Sequence, residues 1–270
     1  MTSTTMPALR RVAALTTATL TTAALAAGPL SLAPSHAAAA KADAYKVTAK
    51  ANLKVAIGKE DTIKVRGRVT PKAAGEKVIL QQRVAGKQKW RATGSAKVKS
   101  SGAYVLEDDP STPGMREYRV VKPASDGLRR GVSKALPVQV YAWQSLASRL
   151  SGARVNLDPG TVMIAADSYS LSLATATSGT PASVEYTLGR KCTDLRATYA
   201  LTDDSATGST GRVTVTSDGT VVDDHALAVG TVVAGSLDVT GVFRLRFDLT
   251  TSATPAATAA IATPEVLCTR

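Results

Sequence analysis

The stretch VEYTLGRKCTDLRATYALTDD, Val184 to Asp204, decides how the C-terminal half of the chain folds. Val184, Tyr186 and Leu188 alternate with Glu185 and Thr187, the period of two that puts every second side chain on one buried face of a strand. Gly189 ends that run. Cys192, Leu195, Ala197, Tyr199 and Leu201 follow, and Asp203 and Asp204 close the segment as an acidic turn. Two strands joined in this way anchor a sandwich, and the cysteine offers one end of a cross-link. Nothing in the stretch names a ligand.

The same period continues on both sides. Downstream, Ser217-Asp218-Gly219-Thr220 is a tight hairpin signal between two alternating runs. Val242 to Leu249 alternates again, with Phe243 and Phe247 expected in the core beside Leu245 and Leu249. Upstream, Thr62 to Val69, Lys77 to Val84, Ala103 to Leu106, Tyr118 to Val121 and Ala135 to Val140 are short alternating runs. Gly- and Pro-rich turns separate them, the punctuation of an antiparallel sandwich. No stretch sustains a helical period, so the fold class expected is all-β.

The N-terminus reads differently. Arg10 and Arg11 precede an apolar run, Val12 to Ala27, and a small-residue run, Ala37 to Ala40, follows a Gly-Pro break. That layout predicts a secretory signal peptide over 1–40; Arg10-Arg11 leave a twin-arginine signal open, but their flanking residues match it poorly and favour the general secretory route. Its threonines and the break leave too little apolar length for a membrane span, and no transmembrane segment is expected in the mature chain. In an exported chain the two cysteines, Cys192 and Cys268, are expected to pair. The loop they close is worth about 4 kcal/mol in the chain-entropy model.

Charge divides what remains. Residues 41–141 hold 22 Lys and Arg against 9 Asp and Glu; residues 142–270 hold 9 against 12. A break that sharp predicts two domains, 41–141 and 142–270, joined by Tyr141 to Leu146 with no long Gly/Ser linker. In the basic half Lys64, Arg66 and Arg68 occupy alternate strand positions, the pattern of a solvated face. Nucleic-acid binding would need clustered cations with stacking aromatics, and it is not expected. Without a cysteine pair of its own, this half is expected to draw its core from Trp90, Tyr104 and Tyr118.

Two family resemblances follow from ordered motifs. GRVTP (Gly67 to Pro71), KVILQQRV (Lys77 to Val84), KW (Lys89-Trp90), SSGAY (Ser100 to Tyr104) and YRVV (Tyr118 to Val121) resemble the immunoglobulin-like modules of secreted actinobacterial proteins. YTLGRKCTDLRATYALTDDS, GRVTVTSDGTVV and SLDVTGVFRLRFDL resemble the novel putative carbohydrate-binding module, NPCBM. The first resemblance implies an immunoglobulin-like β-sandwich. The second implies a jelly-roll-like sandwich of the galactose-binding kind and a glycan ligand. Where that family carries a richer loop, this chain has Thr250 to Pro264, which is small and nearly featureless.

Catalysis finds no constellation. His225 follows Asp223 and Asp224, but there is no nucleophile-elbow motif and no second histidine in the mature chain to build a metal set. The adjacent acid pairs suit turns or a weak calcium site of hard oxygens; no cofactor and no metal site is assigned. The expectation is a non-enzymatic, secreted protein that can stay associated with the wall. Its C-terminal module would bind glycan or cell-envelope polysaccharide through Asp203, Asp204, Asp223, Asp224 and His225 on rim loops. The alternative is a structural or adhesive envelope protein, attached to an anionic wall polymer by the basic half and lacking a small-molecule site.

Overall fold

The computed structural model describes residues 43–270. The signal peptide expected over 1–40 lies outside the described residues. All regular elements among the described residues are strands, and no helix there is long and apolar enough to cross a membrane.

In the basic half the chain runs through β1 (Lys46–Ala51), β2 (Val55–Ile57), β3 (Ile63–Thr70), β4 (Lys77–Val84), β5 (Arg91–Lys97), β6 (Ala103–Asp108), β7 (Gly114–Lys122), β8 (Gly131–Val132) and β9 (Leu136–Ser145). One sheet is β1-β3-β6; facing it, β5-β4-β7-β9 carries β8 against β7 and β2 parallel to β9. The alternating runs put Ile63, Val65, Val78, Leu80, Val120, Val138 and Val140 wholly between the sheets. Tyr104 and Tyr118 join them, and each hydroxyl finds an acceptor: Tyr104 donates to the Thr48 carbonyl and Tyr118 to the Asp108 carboxylate, both at 2.6 Å. Burial without a partner would cost each hydroxyl about 1–3 kcal/mol.

Trp90 departs from expectation. It stands on the β4–β5 connection, only half-buried, with the guanidiniums of Arg83 and Arg119 4.6 and 4.1 Å from its ring centroid. Cation–π attraction to outward-facing strand arginines holds the indole on the outer face of the sheet.

Among the described residues one lysine is buried. Lys122, 1% exposed, directs its ammonium to Glu76, Ser125 and the Pro123 carbonyl, with the Tyr45 ring 4.2 Å away. Hydrogen bonds from Lys122 and Ser125 hold the Glu76 carboxyl at a pKa of about 2, below its ordinary 4.5.

The second half contains β10 (Arg154–Val155), β11 (Leu157–Ile164), β12 (Asp167–Thr175), β13 (Ala182–Thr187), β14 (Cys192–Leu201), β15 (Thr210–Ser217), β16 (Thr220–Ala228), β17 (Val232–Asp238), β18 (Arg244–Thr251) and β19 (Ala259–Cys268). A five-stranded sheet, β10-β13-β18-β15-β16, packs on β11-β12-β19-β14-β17. The fold is therefore an all-β arrangement of two sandwiches, each with its own buried cluster. Asp218-Gly219 forms the predicted β15–β16 hairpin, both residues having positive φ. Phe247 is buried, edge-on to Tyr186 at 6.5 Å. Phe243, expected beside it, is 41% exposed. It precedes β18, where its amide and that of Arg244 donate to the Asp218 carboxylate, so the turn and not the strand period sets its direction.

The Thr250 to Pro264 stretch is not one loop. β18 ends at Thr251 and β19 begins at Ala259, and β19 is buried along most of its length. The small residues of TPAATAAIATP serve that burial, since β19 lies inside its sheet with partners on both edges. β14 runs along one edge; β12 and then β9 occupy the other.

Cys192 and Cys268 form the expected disulfide, closing 76 residue steps. Their Cα atoms are 3.9 Å apart, nearer than the usual ~5.5 Å, because the two residues face each other directly across β14 and β19. Replacing both by Ser should cost about 4 kcal/mol, read as a lower denaturant midpoint with a steeper slope, because the unlinked chain exposes more surface when it unfolds. A second expectation concerns acid. Because the Glu76 pKa is depressed on folding, its contribution is complete above pH 4.5 and is lost as pH falls through about 2. The stability gap between wild type and Glu76→Gln should therefore be present at neutral pH, shrink across that window and close below it. Denaturation curves at a series of pH values check this.

Candidate functional site

The structure separates the sequence-predicted residues into two places. Asp203 and Asp204 form a turn after β14, as expected. The Asp203 carboxylate accepts the amides of Ala165 and Ala166 at 2.7 and 2.9 Å, and both of those residues have positive φ, 51° and 68°. It thus closes the β11–β12 turn, a backbone conformation that non-glycine residues rarely take. Asp204 accepts the Thr202 hydroxyl. The turn shares a shallow groove of about 360 Å³ with Thr161, Met163 and Thr258, so Thr258, from the stretch ahead of β19, does meet the acidic turn. The groove is lined by no aromatic ring.

Asp223, Asp224 and His225 lie elsewhere. They do not form a turn but sit inside β16, held by its register with β15. Strand alternation splits them. Asp224 points outward to Arg212 and to the Thr214 hydroxyl, contacts that hold its carboxyl below the usual carboxylate range. Asp223 contacts His225 Nε2 at 2.7 Å, and the imidazole lies 5.9 Å from the ring of the fully buried Tyr199. All these polar groups already have partners within the fold. Among the described residues no group of three His, Cys, Asp or Glu could hold a metal ion.

A different constellation forms where β9 passes from one sandwich to the other. The Gly58 amide donates to the Tyr141 carbonyl at 2.7 Å and the Lys59 amide to the Pro110 carbonyl at 2.8 Å. These bonds draw the β2–β3 and β6–β7 connections to the side of β9. A Cβ at Gly58 would stand 3.0 Å from the Pro110 carbonyl oxygen, so the close approach suits glycine. Beyond Tyr141, β9 pairs with β19 (Leu267 opposite Trp143) and β19 pairs with β14 (Glu265 opposite Arg196). Trp143, Arg196 and Glu265 thereby come to one groove of about 380 Å³, with Lys59, Glu60 and Ser111 from the first sandwich.

The geometry is ordered. The Arg196 guanidinium lies 3.9 Å from the Trp143 ring centroid, and its Nη2 and Nε reach Glu265 Oε2 at 2.8 and 2.9 Å. Arg196 is half exposed and Trp143 half-buried, so ring, guanidinium and carboxylate form a fixed amphipathic edge facing solvent. Of these residues the sequence singles out Trp143 alone, one of three aromatics, with Tyr169 and Tyr199, that it gives to no core strand, and the scarcity of aromatics for packing assigns it to core or interface. The others come from positions far apart in the chain, and no local motif joins them.

Given its two amide bonds, Asp203 is a structural residue, and Asp203→Ala should not be silent. The expected loss is about 1 kcal/mol, and a thermal melt should show Asp203→Ala below Asp204→Ala.

No protein-family model matches the chain, and no curated protein matches its sequence. Among solved structures it is similar to the CBM36-1 domain of a multidomain xylanase from the hindgut metagenome of Trinervitermes trinervoides. The identity is 11% and the TM-score 0.28, over 47% of this chain and 95% of that one. Likeness at that level assigns no ligand.

Proposed function

We propose that the protein is an exported, non-catalytic glycan-binding protein that takes an envelope polysaccharide in the groove at Trp143. The observation that carries this reading is the Trp143–Arg196–Glu265 edge. Sugars present apolar C–H faces alternating with hydroxyls that donate and accept. A site for them needs an aromatic surface beside fixed donors and acceptors, and an indole, a guanidinium, a carboxylate and the Ser111 hydroxyl supply all of these in one groove. Asp203 and Asp204 offer acceptors without a ring, which is why the site is placed at Trp143 in preference to the rim loops. The NPCBM-like motif order in residues 142–270, the immunoglobulin-like order in residues 41–141, and a division between the two near Tyr141 belong to the same proposal. So does export by the N-terminal segment. The non-catalytic part is supported at the Asp223–His225 pair, whose aromatic neighbour is the buried Tyr199 and not an exposed nucleophile.

A glycan array on the purified protein, followed by titration of the best ligand, tests the reading. Trp143→Ala should weaken that ligand about tenfold or more, equivalent to ~1.4 kcal/mol. The melting temperature should stay within a few degrees, and retention should survive ~0.5 M salt, where diffuse charge attraction is screened. Affinity unchanged in Trp143→Ala, or retention abolished by salt, would sink it.

A further inference from the structure

A second constellation lies in the basic half, at the end of β4, β5 and β7. Arg116 on β7 is 6% exposed, yet forms no ion pair among the described residues. Its Nη1 donates to Gln82 Oε1 at 2.5 Å and its Nη2 to the Thr112 carbonyl at 2.7 Å and to the Thr112 hydroxyl. Its Nε has no partner. A buried guanidinium is ordinarily matched by a carboxylate or another anion, because the desolvated charge is otherwise uncompensated.

Arg116 does not close on the interior. It lines a groove of about 380 Å³ together with Arg83, Lys87, Lys89 and Arg91, and no acidic residue lines it. The nearby acid, Glu117, pairs with Arg83. Arg83 also leans on Trp90, which carries Arg119 as well. Arg119 has its pKa lowered by burial first and then by the like charges of Arg130 and Arg83, so cations crowd here without enough local anion. Self-repulsion of this kind disfavours the compact state unless a ligand repays it.

We infer that this groove is a binding site for phosphate oxyanions carried in series, as in a phosphodiester-linked or polyphosphate chain. The buried Arg116 supplies a fixed, uncompensated positive charge at the groove wall, Arg83 and Arg91 supply planar forks, and Lys87 and Lys89 supply mobile point charges, the mixture that suits successive phosphates. Nucleic acid fits less well, because no aromatic ring lines the groove to stack a base.

Titration of the full chain with inorganic tripolyphosphate, by calorimetry at physiological ionic strength, tests the inference. Saturable binding at one site is expected. The variant Lys87→Gln/Lys89→Gln/Arg91→Gln should lose about tenfold or more in affinity, whereas Lys64→Gln/Arg66→Gln/Arg68→Gln, which removes the same charge from β3, should change it less than about twofold. Equal losses in the two variants, or no saturable binding, would overturn the site in favour of diffuse attraction. Arg116→Gln should weaken binding further; if it fails to fold, the pair of triple variants still decides. Polyglutamate of equal charge binding more tightly would overturn the phosphate assignment, and tighter binding of a thymidine oligonucleotide would assign the groove to nucleic acid. Glycan retention at Trp143 should be unaffected by the groove variant, which keeps the failure of either site distinguishable from the other.

Discussion

The pairing of β19 is the constraint on which the second half of the molecule depends. Along one edge it is hydrogen-bonded to β14 from Ala259 to Cys268, and on the other it meets β12 and then β9. Its residues Ala259, Ile261, Val266 and Cys268 enter the main core, while Ala260 and Ala262 fill a smaller cluster with Val162, Ile164 and Ala200 on the other face. Apolar side chains on both faces are what an inner strand with covered faces requires. The disulfide fastens one end of this strand beside the point where Cys268 pairs with Ala142. Because β9 and β14 flank the same strand, Trp143 and Arg196 come within reach of each other. The groove at Trp143 is thus a consequence of sheet order, not of any local motif.

The first sandwich handles its two buried cations in different ways. Lys122 is matched in full, with a carboxylate, a hydroxyl and a carbonyl for its ammonium. Breaking such a group leaves an uncompensated charge inside, so its completeness favours one arrangement of the strands around it. Arg116 is matched only in part, by neutral acceptors. Two buried cations in one small sandwich, one paired with a carboxylate and one held by neutral acceptors alone, mark the difference between a charge compensated inside the fold and one that the proposed anion site would compensate from outside.

Much of the fold was legible from residues alone. Alternation located the strands around Val184, Tyr186 and Phe247, the Asp218-Gly219 pair located a hairpin, and an even cysteine count located the cross-link. The misreadings share a cause. Phe243 continues the period of β18 but belongs to a turn pinned by Asp218, since one-dimensional alternation does not see where hydrogen bonding to another segment begins. Trp90 was assigned to the core by hydrophobicity, whereas its partners are arginines from two neighbouring strands. Asp223 to His225 read as a turn because acids favour turns, but cross-strand partners Arg212 and Thr214 make β16 hospitable to Asp224. The groove at Trp143 was least legible, being assembled from five separate parts of the chain.

The position of β19 has a further bearing, on the order of events during synthesis. In the chain it follows all of its partner strands, β9, β12 and β14. As the polypeptide emerges, β14 and β12 stand with unpaired inner edges until residues near 268 are available to fill the gap between them. Such edges recruit other strands when left open, and pairing across so long a separation is intrinsically slow. The five-stranded sheet can pair without β19, but the sheet that joins β12, β14 and β9 is completed only after β19 has emerged, so its closure is a late event of folding.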